Sequence, residues 1–243
     1  MNILITGSNG FIGKSLVKYL KIHTDHKIYE FKKNDNLNNI KNIITQIDVV
    51  FHFAGINKSE EKKEFEKVNV NLTKKICEII SINPNTTLIY ASSIQVGLNN
   101  YYGNSKRDGE KICLELQNKF KNKVYILRLP GIFGSGCRPN YNSVVATFCH
   151  NTANELGIRI INPEKEIYLL FVEDLCEQLI NLLNKKNHIR FVKLQNIHKI
   201  SVKGLAAIIK NFHQNLNNID FLKSNSILEK NLYKTYKSYM IQR

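Results

Sequence analysis

Tyr102 and Lys106 lie four residues apart in "YGNSK", so on a helix a phenol and an ammonium share one face. A cation beside a phenol stabilises the phenolate. That draws the ordinary pKa of about 10 downward and lets the hydroxyl trade a proton with a carbonyl oxygen near neutrality. Tyr101 has no such partner, because its neighbour one turn on is Ser105. Ser93, in "YASSIQ", closes an apolar run and offers a hydroxyl that can hold the same oxygen. Each of these taken alone is ordinary, since Tyr and Lys meet at this spacing by chance and paired serines often only make a turn. Their meaning depends on what precedes them in the chain.

What precedes them is "GSNGFIG", which sets Gly7, Gly10 and Gly13 between a first apolar run and a first helical stripe. A strand before and a helix after is the context that a dinucleotide-binding loop requires. Gly7 permits a tight turn, Gly10 lets backbone N–H groups approach a pyrophosphate, and Gly13 lets the helix pack close. Phe11 and Ile12 open that helix, whose N-terminal partial charge favours phosphate. The second strand ends "EFKK", with Lys32 and Lys33 where an acid would accept a ribose 2′-hydroxyl in an NAD site. Cations there suit a 2′-phosphate, so NADP(H) is the expected cofactor; the plain alternative is two solvated loop lysines. A nicotinamide so placed adds its own positive charge near Tyr102.

The elements that must carry these residues alternate. "NILIT" (2–6), "KIYEF" (27–31), "DVVFHFAG" (48–55), "TLIYAS" (87–92) and "KVYILRLP" (123–130) read as strands by length and composition. Helical patterns fill 11–23, 61–82 and 102–120, which predicts a parallel sheet covered on both faces. Beyond residue 130 the rhythm loosens. Helices are expected over 142–155, 171–186 and 202–216, with Ser201 as a cap, and a strand over 188–194. Ser226 and Glu229 form a capping box for a last helix. Its Tyr233, Tyr236 and Tyr239 recur every three residues and are read as core packing, with a docking surface as the alternative. The expected fold is α/β, a Rossmann-type doubly wound parallel sheet with a small C-terminal substrate-binding region. The chain reads as one domain, with 1–135 mainly a dinucleotide-binding core and 136–243 mainly a substrate-binding region.

Composition sets the outer limits. The chain has 243 residues, 43% hydrophobic, with a formal charge of +15. Lysines and arginines are scattered singly and in pairs, without a basic block, so the charge reads as a coat on an ordinary domain that favours a small anionic substrate. Nucleic acid is not expected as a partner. No run approaches the roughly 18 apolar residues of a membrane span, and the N-terminus lacks the basic region of a signal peptide. Cys77, Cys113, Cys137, Cys149 and Cys176 are odd in number and without CxxC spacing. Reduced thiols in a cytoplasmic protein are expected, and no metal site.

Taken together, "TGSNGFIG", "FHFAG", "NVNLT", "ASS", the Tyr102/Lys106 pair and "RLPGIFG" resemble the short-chain dehydrogenase/reductase superfamily. The resemblance is to its extended, nucleotide-sugar-modifying branch, the NAD-dependent epimerase/dehydratase family, and covers nearly the whole chain. Within it, "CRPNYNSVVATFC" and "ILEKNLYKTYKSY" are similar to the reductase domains of bifunctional capsular-polysaccharide enzymes that make an activated N-acetyl-L-fucosamine precursor. The resemblance implies Ser93, Tyr102 and Lys106 as a catalytic trio. It further implies Gly7, Gly10, Phe11, Ile12, Gly13, Lys32, Lys33 and Ala54 around the cofactor, together with Tyr102 and with Lys106 on the nicotinamide ribose, and Arg138, Asn140, Asn142 and Ser143, with Ser93, toward a nucleotide-diphosphate sugar. His52 is read as lining and Asn69 as a support of the sheet end. A homodimer built on the two long helices is expected from the family.

Departures from the family narrow the reading. Ile94 and Gln95 stand where dehydratases carry an acidic pair, and Gln95 where epimerising reductases carry cysteine. Gly131 stands where asparagine is usual, and eight residues separate Ser93 from Tyr102. The cupin domain that follows in the resembled enzymes has no counterpart before Arg243. A separate epimerase is therefore expected, or an unepimerised substrate. The expected activity is NADPH-dependent reduction of the C4 ketone of a nucleotide-linked 4-keto-6-deoxyhexose for capsule or O-antigen. The alternatives are a 4-epimerase with retained cofactor and an NADPH-binding regulator without turnover.

Overall fold

The first apolar run becomes β1 (Asn2–Thr6), and the glycine loop delivers the chain into α1 (Phe11–His23). Then come β2 (Lys27–Phe31), α2 (Leu37–Ile43), β3 (Val49–His52), α3 (Lys62–Phe65), a π turn (Glu66–Asn71), α4 (Leu72–Ile80), β4 (Thr87–Ser93), α5 (Tyr101–Phe120) and β5 (Val124–Leu129). This is a computed structural model, and it describes residues 1–184, 189–215 and 226–240. The five strands pair in parallel in the order β2-β1-β3-β4-β5. Sequence order reverses direction at β1, and open sheets of this kind bind ligands outside the strand ends at that point. Val50, Phe51, Leu88 and Ile89 are fully buried, as expected of central parallel strands covered on both faces. On one face of the sheet, Leu4, Val50, Ile76, Ile80, Leu88 and Cys113 share a core cluster.

The chain forms two compact units, the first comprising 1–129 and 178–194 and the second 130–177 and 195–243. The second contains a three-stranded sheet of β6 (Gly131–Phe133), β7 (Glu166–Phe171) and β8 (His198–Ser201), with β6 parallel and β8 antiparallel to β7. Helices α6 (Val144–Ala153), α8 (Val202–Gln214) and α9 (Ile227–Met240) belong to it, and α7 (Val172–Leu183) begins in it. Ser201 caps α8 by accepting the Gly204 N–H at 3.1 Å. Ser226 and Glu229 form the expected capping box, with reciprocal bonds of 2.8 and 3.3 Å. Tyr236 and Tyr239 are buried in the unit's core and Tyr233 packs against it, which bears out the packing reading of that tyrosine series.

Three local readings are revised. The helix expected over 61–82 runs continuously over 62–80 but widens to π bonding at Glu66–Asn71. The strand expected over 188–194 reduces to one bridge between Phe191 and Ile126; His188 lies outside the described residues, as do the ends of the helices read over 171–186 and 202–216. The second sheet had no clear signal, since its strands are short and two are only partly buried.

Candidate active site

Gly7 has φ +70°, and a Cβ on it would lie 2.7 Å from the Ala54 nitrogen. Only glycine fits there, so the loop after β1 packs directly on the loop after β3. A Cβ on Gly13 would lie 2.3 Å from the Gly7 oxygen, which is why α1 can start flush against the turn. The Gly7 N–H donates to the Phe31 carbonyl at 2.9 Å, tying the loop to the end of β2 and hence to exposed Lys32 and Lys33. The Lys32 N–H donates to Asp35 at 2.7 Å, an acid at this corner that the sequence reading passed over. Gly10 is the N-cap of α1, no side chain caps it, and no acid lies in its first turn, which begins with Phe11 and Ile12. A helix start with free N–H groups beside a turn where side chains cannot fit suits a dinucleotide pyrophosphate.

Ser93 ends β4, and its Oγ accepts the Gln95 N–H at 3.2 Å. Asn100 caps α5 by accepting the Gly103 N–H at 2.7 Å, so the helix begins in time to put Tyr102 in its first turn. Burial raises the Tyr102 phenol above its ordinary value, and the hydrogen bond with the Ser93 hydroxyl works against that rise. The expectation that Lys106 lowers this phenol is corrected. The Lys106 amine instead donates to the Ala91 carbonyl at 2.8 Å and sits 5.1 Å from the centre of the Tyr90 ring. Desolvation therefore dominates at Tyr102, which is held as the protonated acid. Lys106 itself is buried, and its pKa falls to about 8. A Cβ on Gly55 would lie 3.4 Å from its Nζ, so contacts run continuously from Gly7 through Ala54 and Gly55 to Lys106.

Behind this surface lies a buried polar chain. Thr73 Oγ1 donates to the Asn69 carbonyl at 2.8 Å, which leaves it to accept from His52 Nε2 at 2.9 Å. His52 Nδ1 must then accept from Thr6 Oγ1 at 2.6 Å, while Thr6 Oγ1 receives the Ala54 N–H at 3.3 Å. The directions close only with a neutral, Nε2-protonated imidazole. Its pKa accordingly falls to about 3, through burial first and the Lys106 charge second. Asn69 grips the Ile56 backbone at both ends, at 2.8 and 2.9 Å, and donates to Ser105 at 3.0 Å. His52 is thus lining and Asn69 a support. Thr6, Thr73 and Ser105 could not be assigned from sequence because the partners that give them a role, His52 for the threonines and Asn69 for the serine, lie 46, 21 and 36 residues away.

In the second unit, Arg138, Asn140, Asn142 and Ser143 lie on the segment that leads into α6. Ser143 caps that helix through the Ala146 N–H at 3.2 Å, and Asn140, at φ +54°, donates its N–H to Thr147 at 3.0 Å. The Arg138 guanidinium lies 5.3 Å from the centre of the Tyr141 ring. Tyr239 of α9 donates its hydroxyl to the Cys137 carbonyl. No group of metal-ligating side chains occurs among the described residues, and no described helix is long and apolar enough to cross a membrane.

Comparison with known proteins agrees with this architecture. The chain is 35% identical over 242 residues to a UDP-2-acetamido-2,6-beta-L-arabino-hexul-4-ose reductase of Pseudomonas aeruginosa, covering 99% of this chain and 65% of that protein. The crystal structure of the capsular polysaccharide assembling protein CapF of Staphylococcus aureus superposes with a TM-score of 0.84 at 33% identity, over 99% of this chain and 66% of that one. A UDP-glucuronic acid 4-epimerase of Bacillus cereus, solved with UDP-glucuronic acid and NAD, shares the fold at 16% identity, with a TM-score of 0.85 over 100% of this chain and 99% of its own. The chain thus spans about two thirds of the two relatives nearest to it in sequence among these. Residues 3–197 match one family profile, and that span holds the glycine loop, Ser93, Tyr102 and Lys106 alike; the chain belongs to the NAD dependent epimerase/dehydratase family.

Proposed function

We propose that this chain reduces the C4 ketone of a nucleotide-linked 4-keto-6-deoxyhexose, UDP-linked and 2-acetamido-substituted, with NADPH, in cytoplasmic synthesis of capsule or O-antigen. The observation that carries the reading is the Tyr102 phenol, hydrogen-bonded to the Ser93 hydroxyl and one helical turn before Lys106 on α5. Reduction of a ketone needs a proton donor at the oxygen, and a phenol gives up that proton more readily as its pKa falls toward neutrality, which burial opposes and the Ser93 hydrogen bond favours. The name of the Pseudomonas aeruginosa relative supports the substrate class.

Gly7, Gly10, Gly13, Phe11, Ile12 and Ala54 would hold the dinucleotide, with Lys32 and Lys33 at its 2′-phosphate. When bound, the nicotinamide supplies the hydride. Tyr102 gives its proton to the ketone oxygen, Ser93 holds that oxygen by a hydrogen bond, and Lys106 keeps a positive charge beneath the site. Arg138, Asn140, Asn142 and Ser143 bind the nucleotide sugar. The protein works as a homodimer.

The test offers UDP- and dTDP-linked 4-ketosugars with NADPH or NADH and follows loss of cofactor absorbance. One NADPH should be consumed per sugar reduced. Tyr102→Phe should lower turnover by about 10²- to 10⁴-fold, the usual weight of a proton donor, and leave NADPH binding nearly unchanged. Interconversion of sugars without net oxidation would instead establish an epimerase. Binding of NADPH with no turnover of any 4-ketosugar would indicate a regulator.

A further inference from the structure

One turn beyond Lys106, on the same face of α5, stands Glu110, whose side chain is buried. Its carboxylate takes three hydrogen bonds from two strands. Ser92 Oγ donates to Oε1 at 2.5 Å, Arg128 Nε to Oε1 at 2.9 Å, and Arg128 Nη2 to Oε2 at 2.7 Å. Ser92 on β4 and Arg128 on β5 are direct register partners, so Glu110 bolts α5 across the seam between these strands. Ser92 precedes Ser93, and Tyr102 and Lys106 lie on the bolted helix. The bridge is lopsided: the carboxylate side chain is 5% exposed, whereas that of Arg128 is 48% exposed and lies over the Phe191 ring. Water therefore screens the cation while the buried anion keeps its field inside the protein.

The groups around Lys106 can be taken element by element. From β3 comes His52, which is neutral. From β4 come the Tyr90 ring and the Ala91 carbonyl. From the loop after β3 comes the Gly55 backbone, backed by the uncharged amide of Asn69. From α5 come Tyr102, Cys113 and Glu110. Burial drives the Lys106 pKa down, and Cys113 and Glu110 oppose it. The Cys113 thiol is pushed well up by its own burial and carries no charge near neutrality. Among the described residues, that leaves the Glu110 carboxylate, ion-paired with Arg128, as the counter-charge.

We propose that Glu110 is a positioning residue of the reaction, its carboxylate pinning the catalytic helix to the ends of β4 and β5 and holding the Lys106 amine as an ammonium. The catalytic half of this inference rests on the reductase reading; the pairing of Glu110 with Lys106 does not.

The experiment is a pH titration of lysine ¹³Cε signals in the full chain, with the Lys106 signal identified by its loss in Lys106→Met. In Glu110→Gln the Lys106 midpoint should fall by about one unit, the low end of what a nearby opposite charge supplies. In Arg128→Leu it should rise, because the carboxylate loses its competing cation. Glu110→Asp should stay near wild type, and if Arg128→Leu fails to fold, the Gln and Asp variants decide between them. The alkaline limb of NADPH-dependent turnover should move in the same directions. A merely structural bolt would not move the two variants oppositely. Midpoints unchanged in Glu110→Gln, or falling in both Glu110→Gln and Arg128→Leu, overturn the proposal. Split midpoints in a protein that reduces no 4-ketosugar would uphold the pairing and overturn the reductase reading.

Discussion

Lys106→Met should destroy turnover and make the protein more stable. The wild-type amine is fully buried, with its pKa lowered from 10.5 to about 8. At about 1.4 kcal/mol per unit, this depression costs the folded state about 3 kcal/mol while the amine is protonated. Methionine removes that cost. It also removes the hydrogen bond to Ala91, worth about 1 kcal/mol, and keeps a favourable sulfur contact in place of the ammonium over Tyr90. The net gain is about 2 kcal/mol, or roughly 4–8 °C in Tm for a chain of this size. The pH dependence has a definite sign. Below pH 8 both folded and unfolded wild type carry the ammonium, and the full penalty applies. Between about 8 and 10.5 the folded protein alone has lost its proton, so wild-type stability climbs relative to the variant. Urea unfolding of both proteins at pH 7, 8, 9 and 10 reads this directly. Tyr102 titrates in both, so its contribution cancels to first order. A variant less stable than wild type at pH 7, or a gap that does not narrow toward pH 10, would refute the reasoning.

Three further outcomes follow from the geometry. Gly109→Ala would place a Cβ 2.1 Å from the hydroxyl of buried Tyr90; overpacking of about 1–3 kcal/mol should exceed the helix-propensity gain of about 1 kcal/mol, seen as a lower urea midpoint. Lys32→Ala with Lys33→Ala should weaken NADPH binding by about tenfold or more and leave NADH binding unchanged, as titration calorimetry would show; wild type that binds NADH tenfold more tightly than NADPH would defeat the assignment. Tyr239→Phe frees the Cys137 carbonyl and loosens the 137–143 segment, so KM for the nucleotide sugar should rise about fivefold, the worth of one hydrogen bond, with kcat unchanged in steady-state kinetics.

The parts of this architecture that were legible in the sequence are those written in short-range spacing. Strands such as "DVVFHFAG" announce burial by their apolar runs, and Gly7, Gly10 and Gly13 sit between strand and helix where the loop demands them. Ser201, Ser226 and Glu229 act within one turn of their partners. Glu110 lay on the same four-residue ladder as Tyr102 and Lys106, yet its importance depends on Ser92 and Arg128 becoming register neighbours, which pairing along a single helix does not reveal. The direction of the Tyr102 shift was missed for a related reason. Spacing shows that two side chains share a face, whereas the depth of burial and the aim of the Lys106 amine at Ala91 are set by the surrounding fold. Helix α2 escaped because its 7 residues are too short a run to establish a helical period, although Leu37, Ile40 and Ile43 keep the spacing and Asn36 caps it.

The wide π turn at Glu66–Asn71 also constrains how this chain can change length. Each residue removed from a helix rotates everything downstream by about 100°. A residue lost inside the π turn can be taken up by closing it to α-helical bonding, whereas one lost in α4 beyond Leu72 would swing Ile76, Cys77 and Ile80 from the interior toward solvent. The same deletion in the exposed stretch ahead of α3 would be absorbed by slack. Tolerance to deletion should therefore drop abruptly at residue 72, where α4 begins and its residue count, more than its composition, is what natural variation must leave alone.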